Sequence, residues 1–116
     1  MGKIIAYCRE GCPHSNNASK TLNALKDKYD IEIKFIKDDD KIKNGLKEKL
    51  KEIIGDHSTF PIILYETSKK KLLLVGGNDK LQEIIKYIDS VHSKEDILKL
   101  DLTKTQKRVL YYLFKK

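Results

Sequence analysis

Residues 7–15 are Tyr7-Cys8-Arg9-Glu10-Gly11-Cys12-Pro13-His14-Ser15, and the pattern of the chain changes inside this stretch. The apolar run just before it, which begins at Ile4, is typical of a short buried strand. After it, apolar residues recur at helical spacing on one face, which predicts a helix from His14 to about Tyr29. Pro13 suits the first helical position, because its missing N–H needs no partner there, so Cys12 is predicted to be the N-cap. The stretch therefore predicts a strand-to-helix turn with a cysteine at its corner.

The rest of the chain alternates between strand and helix patterns. Apolar and charged residues alternate from Ile31 to Phe35, as they do in a half-buried strand. The elements predicted after it are a helix at 42–54, strands at 60–65 and 72–75, and a helix that opens at 76–79. This order indicates an α/β domain with a hairpin near its end. We expect a mixed sheet of four strands, with parallel pairs among the first three, an antiparallel last strand, and helices on both faces.

The end of the chain carries two further capped segments, at 93–100 and 103–115. Thr103 with Gln106 three residues later is a capping-box pattern. The apolar face that follows consists of Val109, Leu110, Leu113 and Phe114. Because large exposed apolar patches are uncommon in monomers, we expect this face to pack on the domain. The predicted organisation is a domain at 1–92 and a basic helical C-terminal extension at 93–116.

The length and charge of the chain limit the classes of protein that it can belong to. Its 116 residues suffice for one globular domain. A net charge of +7 is typical of nucleic-acid binders. However, only two of the 24 basic residues are arginine, and proteins that read bases favour the planar guanidinium of arginine. No apolar run approaches the roughly 20 residues of a membrane helix, and the residues from Met1 to Tyr7 lead us to expect no secretory signal. We therefore expect a cytoplasmic protein in a reducing compartment, without a membrane or nucleic-acid partner.

Cys12 is the candidate nucleophile. At a strand-to-helix turn its sulfur faces backbone N–H groups and the positive end of the helix, which lowers a thiol pKa and raises the thiolate fraction. The nearby Arg9 acts in the same direction, and the alternative is an inert cysteine at a loop–helix junction. Cys8 is predicted to be a buried, unreactive thiol. A disulfide between the two cysteines is the alternative if the turn brings their Cα atoms within about 4.4–6.8 Å.

Three motifs in order resemble those of the glutaredoxins, a family of the thioredoxin-fold superfamily. They are residues 7–15, Thr59-Phe60-Pro61 and Gly76-Gly77-Asn78-Asp79, which are similar to the CPYC-type active site, the TVP loop and the GG-x-D turn. The match spans about residues 3–92, and it implies a thioredoxin-like fold, a nucleophilic Cys12 and glutathione as cosubstrate. The glutathione-binding residues that it implies are Arg9, Pro13, His14, Thr59, Phe60, Pro61, Gly77, Asn78 and Asp79.

Several of these residues acquire individual roles through the resemblance. Pro61 is similar to the cis-proline that brings a backbone segment beside the sulfur, and Phe60 before it then pairs with the glutathione main chain. Asn78 and Asp79 resemble the polar pair that receives the γ-glutamyl end. Arg9 resembles the lysine that faces the thiol and the glycyl carboxylate.

The active-site motif departs from the family pattern at Ser15, which stands in place of a second cysteine and gives CPHS. The implied reaction is a monothiol cycle, in which the Cys12 thiolate attacks a glutathione mixed disulfide and free glutathione resolves the adduct. The expected substrates are glutathionylated proteins or small disulfides, and Ser15 itself is assigned no catalytic role. Ser58 stands where many members have a basic residue, which weakens the implied grip on the glycyl carboxylate.

Two metal sites and one other class of function are the alternatives to this interpretation. A proline directly after the cysteine accompanies oxidoreductase activity in the family, rather than the iron–sulfur clusters held at CGFS sites. Zinc held by Cys8, Cys12 and His14 would lack a fourth protein ligand, so no metal is expected. We expect a monomer, with His57 and His92 at the surface. The alternative function is a noncatalytic thioredoxin-fold interaction protein whose C-terminal extension binds a partner.

Overall fold

The computed structural model describes residues 2–57 and 59–115, and in these ranges the chain forms four strands and six helices. The strands are β1 (Lys3–Arg9), β2 (Ile31–Ile36), β3 (Ile62–Glu66) and β4 (Leu72–Gly76). The helices are α1 (Pro13–Ala24), α2 (Asp40–Lys49), α3 (Lys51–Ile54), α4 (Asn78–Ser90), α5 (Lys94–Leu98) and α6 (Lys104–Lys115).

The strands pair into a mixed sheet with the order β2-β1-β3-β4. β1 and β2 are parallel, and α1 is the crossover that parallel pairing requires. β4 is antiparallel to β3, as predicted. The third strand differs from the prediction, because β3 begins with Ile62 opposite Tyr7, beside the carboxyl end of β1, and so runs antiparallel to β1. The carboxyl ends of β1 and β2 therefore meet the start of β3 at the same edge of the sheet.

Two helices have bounds that differ from those predicted. α1 ends at Ala24 rather than near Tyr29, because the Leu25 N–H bonds to the Leu22 carbonyl in a tighter turn. Tyr29 lies in the segment before β2 and packs half-buried against the core. The second predicted helix is divided into α2 and α3 at the buried Leu50. Apolar residues continue at helical spacing past Ala24 and through Leu50, so this spacing does not indicate either break.

Apolar side chains cover both faces of the sheet. α1, α4, α5 and α6 pack on one face, and α2 and α3 pack on the other. Because side chains alternate along a strand, Ile4 and Ala6 join the first cluster and Ile5 joins the second. The prediction of helices on both faces is confirmed. No helix in the described ranges is long and apolar enough to cross a bilayer.

The C-terminal extension is part of the larger core cluster. Val109 and Leu110 of α6 are fully buried in it. Thr103 and Gln106 form the predicted capping box, in which each backbone N–H donates to the other side chain at 3.1 Å. The Gln106 side-chain amide also donates to the Val75 carbonyl at 3.1 Å, which fastens α6 to β4. The predicted packing of this apolar face on the domain is therefore confirmed.

Candidate active site

Cys12 lies at the corner where β1 gives way to α1. Gly11, with φ +77°, turns the chain in a left-handed conformation that favours glycine. Cys12 has the extended backbone of an N-cap and Pro13 begins the helix, as predicted. Cys12 is 5% exposed, and its Sγ lies 3.9 Å from the Phe60 carbonyl oxygen. The sulfur therefore stands between the start of α1 and the loop that enters β3.

Hydrogen-bond donors surround this sulfur. Burial raises the pKa of the Cys12 thiol, since it disfavours the charged form. Four nearby donors oppose burial and favour the thiolate, namely the Ser15 backbone N–H, the Ser15 hydroxyl, the Arg9 guanidinium and the His14 backbone N–H. Together they outweigh burial and lower the pKa from 9.0 to about 7. A large fraction of Cys12 is therefore thiolate near neutral pH.

Ser15 connects Cys12 to the last residue of β1. It is fully buried, and its Oγ accepts the Arg9 backbone N–H at 3.0 Å. Because a lone pair of the oxygen is used by that N–H, the hydroxyl proton is free to point at the sulfur. No role for Ser15 is predicted from the sequence, although its position three residues after the N-cap is one from which side chains commonly return to the cap.

Arg9 is shared between the thiolate and a carboxylate. The interaction with the nearby Cys12 thiolate, and next the charge of Asp38, raise the pKa of the Arg9 guanidinium. Its Nη1 lies 3.4 Å from Asp38 Oδ1, and the Lys43 Nζ lies 2.7 Å from the same oxygen. Lys43 therefore neutralises part of the Asp38 charge, which leaves Arg9 available to the sulfur.

Cys8 has the opposite environment. It is fully buried in β1, and burial followed by the charge of Cys12 raises its pKa to about 11. Both cysteines are free thiols. The predicted burial of Cys8 is confirmed, and at neutral pH Cys12 is the thiol that ionises.

The loop before β3 forms the second wall of the site. The Phe60–Pro61 peptide bond is cis, as the resemblance implied. The Phe60 backbone N–H has no hydrogen-bond partner within residues 2–57 and 59–115. Lys47 of α2 places its Nζ 5.5 Å from the centroid of the Phe60 ring. The sequence pattern does not point to this cation, because Lys47 lies 13 positions before Phe60 in the chain.

Two glycines bring the start of α4 against the same loop. Gly76 has φ +132°, a conformation that L side chains rarely adopt. A Cβ on Gly77 would lie 3.7 Å from the Pro61 carbonyl oxygen and 3.6 Å from the His57 ring. His57 was expected at the surface, but it is only partly exposed, and its Nε2 lies 3.4 Å from the same carbonyl oxygen. The His57 ring is partly buried because it lies against this loop, where the Pro61 carbonyl can accept a hydrogen bond from Nε2.

Asn78 and Asp79 begin α4 and differ in exposure. Asn78 is 8% exposed, and its Oδ1 accepts from the Gln82 side-chain amide at 3.1 Å. That amide also donates to Thr21 Oγ1 at 2.8 Å, which ties α4 to α1. Asp79 is exposed, and within the described part of the chain no side chain caps the N–H groups that begin this helix. These N–H groups are therefore available to an anion.

The structure brings most of the predicted residues together. Contacts join Cys12 to Arg9 and Phe60, and Pro61 to Gly77. The exposed members of the predicted set are Pro13, His14, Thr59 and Asp79. Within the described ranges, no group of three His, Cys, Asp or Glu side chains is arranged to hold a metal ion.

Comparisons with known proteins address the architecture. No protein-family model matches the chain, and no curated protein matches it in sequence. Among solved structures, the crystal structure of glutaredoxin 1 from Francisella tularensis, complexed with cacodylate, matches with a TM-score of 0.52 and 21% sequence identity. The match covers 78% of this chain and 100% of that one. With its mixed sheet between two helical layers, the chain therefore has a thioredoxin-like fold.

Proposed function

We propose that this protein is a monothiol glutaredoxin, a glutathione-dependent thiol-disulfide oxidoreductase with Cys12 as nucleophile. The observation that carries the proposal is the contrast between the two thiols, since donors lower the pKa of Cys12 to about 7 while burial raises that of Cys8 to about 11. Pairs of titratable groups pushed apart in this way are typical of catalytic sites. The thioredoxin-like fold and the cis Phe60–Pro61 bond beside Cys12 support the same function.

The proposed reaction has two thiol-disulfide exchanges. The Cys12 thiolate attacks the glutathione sulfur of a protein–glutathione disulfide, an S–S bond forms to Cys12, and the protein thiolate leaves and takes up a proton. A glutathione thiolate then attacks the glutathione sulfur of the adduct, forms glutathione disulfide and releases the Cys12 thiolate. The target thiol is released in reduced form, and its glutathionyl group leaves with one free glutathione as glutathione disulfide. The low pKa of Cys12 favours its departure in the second exchange.

The walls of the site offer partners for each part of glutathione. The Phe60 backbone suits pairing with the peptide main chain, because its N–H lacks a partner among the described residues. The uncapped start of α4, at Gly77, Asn78 and Asp79, suits the carboxylate of the γ-glutamyl end. Arg9 and Lys47 suit the glycyl carboxylate, and Lys47 supplies a positive charge that the TVP-like loop lacks at Ser58.

Mass spectrometry after incubation with glutathione disulfide tests the nucleophile. We expect one glutathione adduct on Cys12, loss of peptide deglutathionylation in Cys12→Ser, and retention in Cys8→Ser. An active Cys12→Ser variant would refute the proposal, and an inactive, folded Cys8→Ser variant would require a dithiol model. If isothermal titration detects no glutathione binding, the noncatalytic interaction protein becomes the better interpretation.

Substitution of Lys47 tests whether this lysine binds the glycyl carboxylate of glutathione. Lys47→Gln should raise KM for a glutathionylated peptide by about three- to tenfold with kcat retained, since a charge-assisted contact is lost. Lys49→Gln is the matched control, because Lys49 is exposed at the end of the same helix. Equal KM values for the two variants would remove Lys47 from the binding site.

The remaining features of the proposal are the substrates, the compartment, the oligomeric state and the domain organisation. Glutathionylated proteins or small disulfides are the proposed substrates, and two free thiols suit a reducing compartment such as the cytoplasm. We propose a monomer that has no iron–sulfur cluster, with residues 1–92 as the catalytic domain and 93–116 as the basic extension.

A further inference from the structure

A cavity of about 590 Å³ lies far from Cys12. It is bounded by the start of β1, the turn between β3 and β4, and the outer part of α6. β1 runs from Lys3 at this cavity to Arg9 at the active site, about 20 Å away at the usual rise per strand residue. Its volume falls within the range of about 300–1,000 Å³ that is common for small-molecule sites. The cavity is therefore a second candidate site, separate from the thiol.

Positive charge concentrates around this cavity. Its exposed cationic lining residues are Lys69, Lys71, Arg108 and Lys115. No carboxylate of residues 2–57 or 59–115 forms an ion pair with any of them. Asp30 is the carboxylate among the described lining residues, and Lys3 is already paired with Glu32 at 3.4 Å. Cations of the β3–β4 turn and of α6 thus meet at one concave surface, and no carboxylate of the described residues pairs with them.

Aromatic rings form the inner wall of the same cavity. Tyr65 of β3 and Tyr112 of α6 are stacked, with ring centroids 5.5 Å apart and planes inclined by 8°. Gly2 lies so close to the Tyr65 hydroxyl that a side chain there would collide with it. Gly2 therefore packs directly against the Tyr65 side of this stack. Planar aromatic walls beside cations suit a ligand that joins a flat ring to a multiply charged anion.

We propose that this cavity binds a nucleotide through its phosphates and its base, either as a free nucleotide or as part of a single-stranded nucleic acid. Lys69, Lys71 and Arg108 receive the phosphates, and the partly exposed Tyr112 ring, backed by the buried Tyr65, receives the base. Multiple cations favour a di- or triphosphate over a single carboxylate, because each additional charge-assisted hydrogen bond adds to the affinity. The proposal assigns a ligand to the basic extension that the proposed oxidoreductase reaction leaves unused.

Binding measurements on the full chain test this proposal. The probes are ATP in isothermal titration calorimetry and a fluorescein-labelled single-stranded oligonucleotide of ten thymidines in fluorescence anisotropy, each at about 50 and 200 mM salt. The test variant is Lys71→Glu combined with Arg108→Glu, both exposed positions. Lys86→Glu combined with Lys26→Glu is the matched control, because these lysines are also exposed and do not line the cavity.

We expect ATP or the oligonucleotide to bind the natural chain, and the test variant to weaken binding at least about tenfold, since charge-assisted contacts of this kind contribute about that factor each. The control variant should stay within about twofold at the higher salt, where diffuse attraction is screened. If ATP binds more tightly than the oligonucleotide, the ligand is a free nucleotide. If the oligonucleotide binds more tightly, the ligand is a single-stranded nucleic acid. No binding of either probe, or equal losses in both variants, overturns the proposal. Deglutathionylation should be unchanged in the test variant.

Discussion

Replacement of Ser15 by alanine tests the electrostatic account of the active site most directly. The hydroxyl is one of four hydrogen-bond donors that overcome burial and move the pKa of Cys12 from 9.0 to about 7. Because these donors together supply more than that difference, we assign to the hydroxyl a change of about 0.5 to 1 pKa unit. Ser15→Ala should therefore raise the pKa of Cys12 to between about 7.5 and 8.

The consequence for reactivity depends on pH in a characteristic way. Near pH 6, the thiolate fraction of the variant should fall about three- to tenfold, because both thiols are mostly protonated there. Above pH 9.5, both are ionised, and the more basic thiolate of the variant should react about twice as fast, because nucleophilicity rises with thiol pKa. The two pH profiles therefore cross. A general loss of structure would lower the rate at every pH.

The assay is the rate of iodoacetamide alkylation at Cys12, followed by mass spectrometry from about pH 5 to pH 10, a range that brackets the two pKa values. Ser19→Ala is the matched control, since Ser19 lies one turn later in α1 and its hydroxyl accepts from the Asn23 side chain at 3.4 Å. A Ser15→Ala profile that coincides with that of the natural chain, or that lies below it at every pH, would refute the reasoning.

Three further experiments address packing and ionisation. Leu110→Ala should lower the free energy of unfolding by about 2–5 kcal/mol in urea titration, because α6 belongs to the core, whereas exposed Leu98→Ala should change it by less than about 0.5 kcal/mol. Gly76→Ala should destabilise the protein by more than about 1 kcal/mol, because Gly76 has a positive φ. Gly45→Ala inside α2 should stabilise it by about 0.5–1 kcal/mol. Similar effects at both glycines would contradict the positive φ of Gly76. Ionisation of Cys12 contributes stability that is complete above pH 9 and is lost as the pH falls through about 7. The difference in unfolding free energy between the natural chain and Cys12→Ser should therefore shrink by about 2–3 kcal/mol from pH 9.5 to pH 6, and a constant difference would contradict the lowered pKa.

Local chemistry allowed the sequence to predict much of the fold. The capping box of Thr103 and Gln106 and the N-cap at Cys12 depend on residues a few positions apart, so spacing was sufficient to find them. The alternation from Ile31 to Phe35 predicted β2, and the order of strand and helix patterns predicted an α/β domain with helices on both faces of its sheet. The resemblance of three motifs then placed Cys12, Phe60 and Pro61 in one site before any distance was known.

Only the tertiary structure decided which distant residues meet. The direction of β3 depended on where the chain re-enters the sheet beside β1, and no local pattern encodes that point. Lys47 reaches the Phe60 ring, and His57 reaches the Pro61 carbonyl, because helix and loop packing brings them there. The sequence by itself determined that Cys12 is the N-cap of a helix, whereas the balance between its burial and the donors around it, and hence its ionisation, required the folded chain. The physical reason is that propensity and periodicity act over a few residues, while pKa values and cavities depend on groups brought together across the whole fold.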